Sequence, residues 1–154
     1  MNDRVPVAAQ ANADNVFFFA REQARARLAR VEAAVHQLLA MAAGTEATIG
    51  AIHDLRVSLR RFRATLDTFR KFFPAGERRR VRQAMRQVFA AAGEVRNRDI
   101  TLELIRKIKG EGCALLAEKL QAERLALEQV LREKLQGWVR EDFSTRWRCD
   151  LRLP

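Results

Sequence analysis

The sequence predicts an all-α protein, folded as an antiparallel four-helix bundle. Ala, Leu, Arg and Glu, which are all strong helix formers, dominate a chain with only 7 Gly and 3 Pro among 154 residues. Apolar residues recur at helical spacing over four long stretches. Short connections that contain Gly or Pro separate these stretches, and short connections place consecutive helices side by side in antiparallel order.

The first helix is predicted from Asp14 or Asn15, either of which can cap its start, to about Ala43. Residues 1–13 contain a proline and many small side chains, and we expect them to form a disordered N-terminal arm. The apolar positions that recur at helical spacing in this helix are Phe17, Leu28, Val31, Val35, Leu38 and Leu39.

The second helix is predicted to open at Thr45 or Glu46 and to end at Phe73, because Pro74 and Gly76 follow. Its apolar residues fall on one side of a helical wheel, as expected for a face turned to the core. They are Leu55, Leu59, Phe62, Leu66 and Phe69.

The third helix is predicted from near Glu77 to Lys109, with a kink or short break between Asn97 and Asp99. Its apolar face consists of Val81, Met85, Val88, Ala92 and Val95.

The fourth helix is predicted over about 113–141, after the turn at Gly110 and Gly112. Residues 14–141 would then form a single helical domain. Residues 142–154 contain Trp147 and are interpreted as a C-terminal tail that can dock on the bundle.

The second helix carries a basic face opposite its apolar one. With His53 at zero on a helical wheel, Arg56, Arg60 and Arg63 lie within roughly 80° of it. A solvated helix face usually alternates charges, but here only Asp67 stands four residues from an arginine of this face. Three stacked guanidiniums repel one another unless an anion lies along them, so this face predicts a polyanion ligand.

The third helix carries a second basic face. Arg78, Arg79, Arg82, Arg86 and Arg96 lie on one side of its wheel, together with Gly93, where the backbone can be approached closely. If the second and third helices are neighbours, the two basic faces meet in one concave strip.

The positive charge is concentrated in these two helices. The chain has 24 Arg against 5 Lys and a formal net charge of +10. Between His53 and Arg98 there are 13 basic and 4 acidic residues, whereas the rest of the chain is almost neutral. A genome rich in G and C would also enrich arginine, but it would spread the excess along the chain. The concentration favours a phosphate-binding site, for which the planar guanidinium is well suited.

The segment that starts at His53 reads His-x-Leu-Arg-Val-x-x-Arg-Arg-x-Arg-x-x-Leu. It resembles the CHAD family, the conserved histidine α-helical domain. A second stretch, Gly-Glu-Val-Arg-Asn-Arg-Asp-Ile over residues 93–100, is similar to the family's Gly-x-x-Arg-Asp-x-Asp-Val, with Asn97 in place of the first aspartate. The resemblance is specific over residues 46–109.

The resemblance implies an all-helical fold and binding of inorganic polyphosphate through basic residues. The usual domain is about twice this length and has two related four-helix halves around a basic cavity. The chain corresponds to one half, which suggests a homodimer that rebuilds the whole. The residues predicted to bind polyphosphate are His53, Arg56, Arg60, Arg63, Arg78, Arg79, Arg82, Arg86 and Arg96.

We expect no catalytic residue, cofactor or bound metal. No serine or cysteine nucleophile accompanies His53, whose imidazole either donates to phosphate when protonated or is neutral and hydrogen-bonded within the bundle. Asp99 and Glu103 form an i,i+4 pair that could hold Mg²⁺, but two acids make a weak site. The other interpretation is that Asp99 caps the resuming helix or pairs with an arginine.

Three other functions stay open. A nucleic-acid backbone binder is the main alternative, although the phenylalanines lie opposite the basic face and no Asn or Gln on the second helix suits base reading. An enzyme of phosphate metabolism and a purely structural bundle are the others. We predict a cytoplasmic protein without a membrane partner, because the two cysteines are widely spaced and the sequence shows neither a signal peptide nor a membrane-spanning run. Association with polyphosphate granules is left open.

Overall fold

The computed structural model describes residues 7–108, 110 and 112–154, with side chains from residue 15 onward. Within these residues the protein contains five α-helices, one 3-10 turn and no β-strand. The helices are α1 (Val7–Ala40), α2 (Glu46–Thr68), α3 (Ala75–Lys107), α4 (Cys113–Arg140) and α5 (Phe143–Asp150). The predicted all-α class is confirmed, with a fifth helix inside the expected tail, and the antiparallel four-helix arrangement stays a prediction.

The first helix begins earlier than the sequence predicted. Of the expected disordered arm, residues 7–13 are helical and residues 1–6 lie outside the described part of the chain. Alanine fills four of these seven positions, and its high helix propensity extends the helix beyond Asp14. At the other end α1 stops at Ala40, and Gly44 takes a left-handed conformation with φ +76° in the turn before α2.

The predicted end of the second helix at Phe73 is wrong. α2 ends at Thr68, and a 3-10 turn over Arg70–Phe72 leads to Pro74 and the start of α3. Aromatic contacts with α1 hold this turn, with ring centroids 6.0 Å apart in each of two edge-to-face pairs, Phe17–Phe72 and Phe19–Phe69. Tertiary packing therefore ends α2 before the proline does.

The predicted kink between Asn97 and Asp99 is also absent, because α3 runs without interruption from Ala75 to Lys107. The side chain of Asp99 is buried and pairs with Arg124 of α4. A carboxylate paired in this way does not need to cap a new helix segment.

The core lies between the apolar faces of the four long helices, and the faces predicted for α2 and α3 are buried, apart from Phe69, which is half-buried. α4 matches the predicted fourth helix. α5 packs its aromatic side chains into the same core, where the Trp147 ring stacks on Phe62 with centroids 6.3 Å apart. The expected tail thus docks on the other helices through a short helix.

Among the described residues, no helix combines the length and the apolar character that crossing a bilayer requires.

Candidate functional site

The helices α2 and α3 run antiparallel and bring their basic faces together. Asp67, near the end of α2, pairs with Arg82 near the start of α3, whereas Arg56, earlier in α2, contacts Phe89, later in α3. A groove follows this contact along both helices. The residues that line it are Leu59, Arg60, Arg63, Arg82, Met85, Arg86 and Phe89.

The floor of the groove is apolar and its rims carry the charge. Leu59 and Met85 are buried members of the core. Their burial fixes the rotation of the two helices and so places the neighbouring arginines at the surface of the groove. Arg60, Arg63 and Arg86 are exposed, and Arg82 is half-buried. Two arginines of each helix therefore face one another across an apolar base.

Arg56 is held against α3 just beyond the groove. Its guanidinium carbon lies 4.4 Å from the centroid of the Phe89 ring, and its Nη1 donates to the Phe89 carbonyl oxygen at 3.4 Å. A Cβ atom at Gly93 would come within 2.7 Å of Arg56 Nη1. The absence of a side chain at Gly93 therefore lets the guanidinium lie against α3.

One carboxylate, that of Asp67, lies among the guanidiniums at one end of the groove. Its oxygens are 3.1 Å from Arg82 Nη1, 3.7 Å from Arg63 Nε and 3.9 Å from Arg78 Nη1. One negative charge cannot neutralise these three arginines together with Arg60 and Arg86. The groove therefore keeps an excess of positive charge, and Asp67 orients the guanidiniums that it contacts.

A family model described as the CHAD domain matches residues 21–148, which is most of the chain. The chain belongs to the CHAD family. The match extends beyond residues 46–109, where the motifs lie, into α1, α4 and α5. No curated protein and no solved structure matches the chain. CHAD domains are related to polyphosphate binding in general.

Not all of the nine predicted binding residues meet at the groove of this CHAD domain. Arg60, Arg63, Arg82 and Arg86 line it, and Arg56 and Arg78 adjoin it through Phe89 and Asp67. The side chain of Arg78 is only 16% exposed, and its Nε is buried without a partner among the described residues. His53 and Arg79 are exposed and Arg96 is half-buried. None of these last three is among the described lining residues, and their part in binding stays a prediction.

The carboxylates of Asp99 and Glu103 do not converge on a cation. Asp99 pairs with Arg124, as one of the two interpretations of this residue predicted, and Glu103 pairs with Lys107 at 3.0 Å on the surface. Within the part of the chain that the structure describes, no group of three or more His, Cys, Asp or Glu residues is placed to hold a metal ion.

A buried polar network that the sequence did not predict joins three helices of the CHAD domain. Arg124 of α4 bonds to Asp99 of α3, to Thr48 of α2 at 3.0 Å and to Glu128 at 2.7 Å. Glu128 also accepts from Arg132 Nε at 2.8 Å and from the Gly44 N–H at 3.1 Å. The charged members of the network are almost fully buried, so the network fixes how α4 packs against α2 and α3.

The network changes the pKa of two of its members. Burial by itself would raise the pKa of the Glu128 carboxyl, but the hydrogen bonds from Gly44, Arg132 and Arg124 outweigh it and hold this pKa below its ordinary value. Burial likewise opposes the charge of Arg124, but the bonds to Asp99 and Glu128 outweigh burial and raise the pKa of Arg124. Glu128 and Arg124 therefore stay charged at neutral pH.

A signal for this network is present in the sequence. Arg124 and Glu128 continue, at helical spacing, the buried stripe formed by Leu131, Leu135 and Trp138. Charged residues in core register must find partners on other helices.

Proposed function

We propose that the α2–α3 groove binds inorganic polyphosphate, or a similar condensed polyanion, without chemical change of the ligand. The main support for the proposal is that four arginines from two helices line one groove, and that Asp67 is the one carboxylate paired with them among the described residues. Membership of the CHAD family supports the same ligand class.

Binding would begin with electrostatic capture and continue with direct phosphate contacts. A polyanion that enters the groove releases counterions from its phosphates, which favours association at low salt. Each guanidinium can then donate two parallel hydrogen bonds to phosphate oxygens. Along α2, Arg56, Arg60 and Arg63 rise by about 4.5–6 Å from one to the next. This spacing suits contacts to alternating phosphates of an extended chain.

The size of the groove favours a ligand that lies along it. Its cavity volume is about 70 Å³, whereas pockets that enclose drug-sized ligands have roughly 300–1,000 Å³. A short stretch of the chain would lie between the rims while the remainder continues into solvent. The exposed ends of Arg60 and Arg63 are available to such a chain.

A nucleic-acid backbone is the second candidate ligand, and the aromatic content of the groove argues against it. Phe89 is the aromatic residue among the described lining residues, and the Arg56 guanidinium lies over its ring. Proteins that bind single strands usually stack bases on open aromatic faces. Competition at matched phosphate concentration separates the two ligands. Long-chain polyphosphate should displace labelled RNA or DNA, and the reverse result would refute polyphosphate as the ligand.

The proposal includes the absence of catalysis, which an incubation tests directly. Polyphosphate is incubated with the protein and Mg²⁺ and its length distribution is followed on a gel. An unchanged distribution is expected, and shortened chains would show that the protein is an enzyme.

We further propose that the four long helices form an antiparallel bundle and that two copies of the chain associate, because the chain corresponds to one half of the usual CHAD domain. Sedimentation should then show a dimer, either with or without polyphosphate. A monomer under both conditions would exclude the homodimer.

The location proposed for such a protein is the cytoplasm, where polyphosphate would be accessible to it.

A further inference from the structure

A second cavity opens where α1, the 3-10 turn and the segment after α5 meet. Its volume is about 400 Å³, and it shares no lining residue with the α2–α3 groove. Three basic residues face it, Arg21 of α1, Lys71 of the 3-10 turn and Arg152 after α5, together with the aromatic residues Phe17 and Phe72. We refer to it below as the aromatic cavity.

The basic groups of the aromatic cavity lack acidic neighbours. No carboxylate is among its described lining residues, and none of the three cations takes part in an ion pair within the described part of the chain. Arg21 Nε is buried and has no hydrogen-bond partner there. Burial and, secondarily, the positive charge of Arg152 lower the pKa of Arg21. An anion is the missing partner.

The aromatic cavity has more than one aromatic side chain among its described lining residues, whereas the α2–α3 groove has Phe89 alone. Phe17 is 38% exposed, and its ring meets Phe72 edge to face. The guanidinium carbon of Arg21 lies 4.0 Å from the centroid of the Phe17 ring, so cationic and aromatic groups stand side by side. A ligand in the cavity can therefore meet a positive charge and an aromatic surface at once.

The size of the cavity fits a small molecule. A volume of about 400 Å³ lies within the roughly 300–1,000 Å³ of typical small-ligand sites. An inorganic phosphate would satisfy the cations but would leave the aromatic surface uncovered. A ligand with a phosphate at one end and a planar ring at the other would satisfy both.

We propose that the aromatic cavity binds a nucleoside phosphate. The phosphates contact Arg21, Lys71 and Arg152, and the base packs against Phe17 and Phe72. This proposal is carried by a different set of residues from those of the groove and does not rest on polyphosphate binding.

Calorimetric titration of the full chain with three probes tests the proposal. ADP contains both a base and phosphates, whereas adenosine lacks the phosphates and pyrophosphate lacks the base. We expect ADP to bind about tenfold or more tightly than either of the other two, since two sets of contacts act together. ADP that binds no more tightly than pyrophosphate would overturn the role of the aromatic residues, and failure of ADP to bind would overturn the site.

Substitutions assign the binding to the aromatic cavity. Lys71 and Arg152 are exposed, so the double variant Lys71→Ala with Arg152→Ala should fold and should lose at least tenfold in ADP affinity. Phe72→Leu keeps apolar bulk without the ring and should reduce the advantage of ADP over pyrophosphate. Circular dichroism checks the helix content of each variant.

The control is the groove variant Arg60→Ala with Arg86→Ala, which removes the same formal charge. It should bind ADP as the unsubstituted protein does. If the groove variant loses ADP binding and the Lys71 and Arg152 variant keeps it, the proposal is wrong. ADP binding and polyphosphate binding are measured separately, so either proposal can fail while the other stands.

Discussion

Asp67 and Arg82 form an ion pair across the α2–α3 groove, with 3.1 Å between Oδ1 and Nη1. The carboxylate belongs to α2 and the guanidinium to α3, so the pair joins the two basic faces. If the groove binds polyphosphate as proposed, the pair also places the protein's own anion where a phosphate oxygen would bind. Asp67 would then both orient the arginines and compete with the ligand for them.

Substitution of Asp67 tests this competition. Asp67→Asn removes the negative charge and keeps the shape of the side chain, so polyphosphate affinity should rise by about threefold to tenfold at low salt. The free energy of unfolding should fall by no more than about 1 kcal/mol, since the pair is partly exposed. Fluorescence anisotropy with labelled polyphosphate measures the affinity. A weaker complex would show that orientation of the arginines matters more than competition.

Gly93 offers a test of the position of Arg56. In Gly93→Ala the new methyl group would lie 2.7 Å from Arg56 Nη1, so the guanidinium must shift from its position against Phe89. We expect polyphosphate affinity to fall by about twofold to fivefold, because Arg56 is no longer held beside the groove. The thermal midpoint should not fall, since Ala is favoured over Gly inside a helix by about 1 kcal/mol. Unchanged affinity in this variant would exclude Arg56 from binding.

Arg124 is expected to matter for stability. Arg124→Met should lower the free energy of unfolding by about 3–5 kcal/mol, because it leaves the buried carboxylate of Asp99 without its partner and removes one of the partners of Glu128. Arg98→Met is the matched control, since Arg98 also links α3 to α4, but through a partly exposed pair with Glu123 at 3.1 Å. The control should lose less than about 1 kcal/mol. Urea unfolding measures both, and equal losses would contradict the structural role of the network.

The pKa of Glu128 predicts how stability depends on pH. Because this pKa is lower in the folded protein than its ordinary value of 4.5, the unfolded chain binds the proton first as the pH falls. The stabilisation is complete above the ordinary pKa and is lost as the pH falls through the folded one. Between pH 7 and pH 3, Glu128→Gln should therefore lose less stability than the unsubstituted protein. Parallel curves from urea unfolding would contradict the lowered pKa.

Periodicity alone was sufficient to place the basic faces of α2 and α3. The buried stripe that contains Leu59 and Phe62 fixes the rotation of α2, and Arg60 and Arg63 then fall beside the α3 helix. The same reasoning places Arg82 and Arg86 on α3. A helical wheel gives an angular position only, so it could not distinguish Arg86 from Arg79. Arg86 lines the groove, whereas Arg79 is exposed and is not among the described lining residues of the groove.

Contacts between distant parts of the chain were beyond the reach of local patterns. The end of α2 at Thr68 depends on ring contacts with Phe17 and Phe19, about fifty residues away. Likewise, the register of Arg124 and Glu128 with the buried stripe of α4 indicates burial, but their partners Asp99 and Thr48 lie on other helices and cannot be identified from local spacing.

The most direct test of the central claim is the affinity for long-chain polyphosphate as a function of salt concentration. Three proteins are compared, namely the unsubstituted chain, the groove variant Arg60→Ala with Arg86→Ala, and the control variant Arg30→Ala with Arg61→Ala. The control removes two exposed arginines outside the groove and has the same net charge as the groove variant.

We predict that the groove variant loses at least tenfold in affinity and that the slope of log K against log salt becomes shallower by roughly 1 to 1.5, as for two lost phosphate contacts. The control should stay within about twofold of the unsubstituted protein. Equal losses in the two variants would mean that net charge alone attracts polyphosphate, and the groove would not be its binding site.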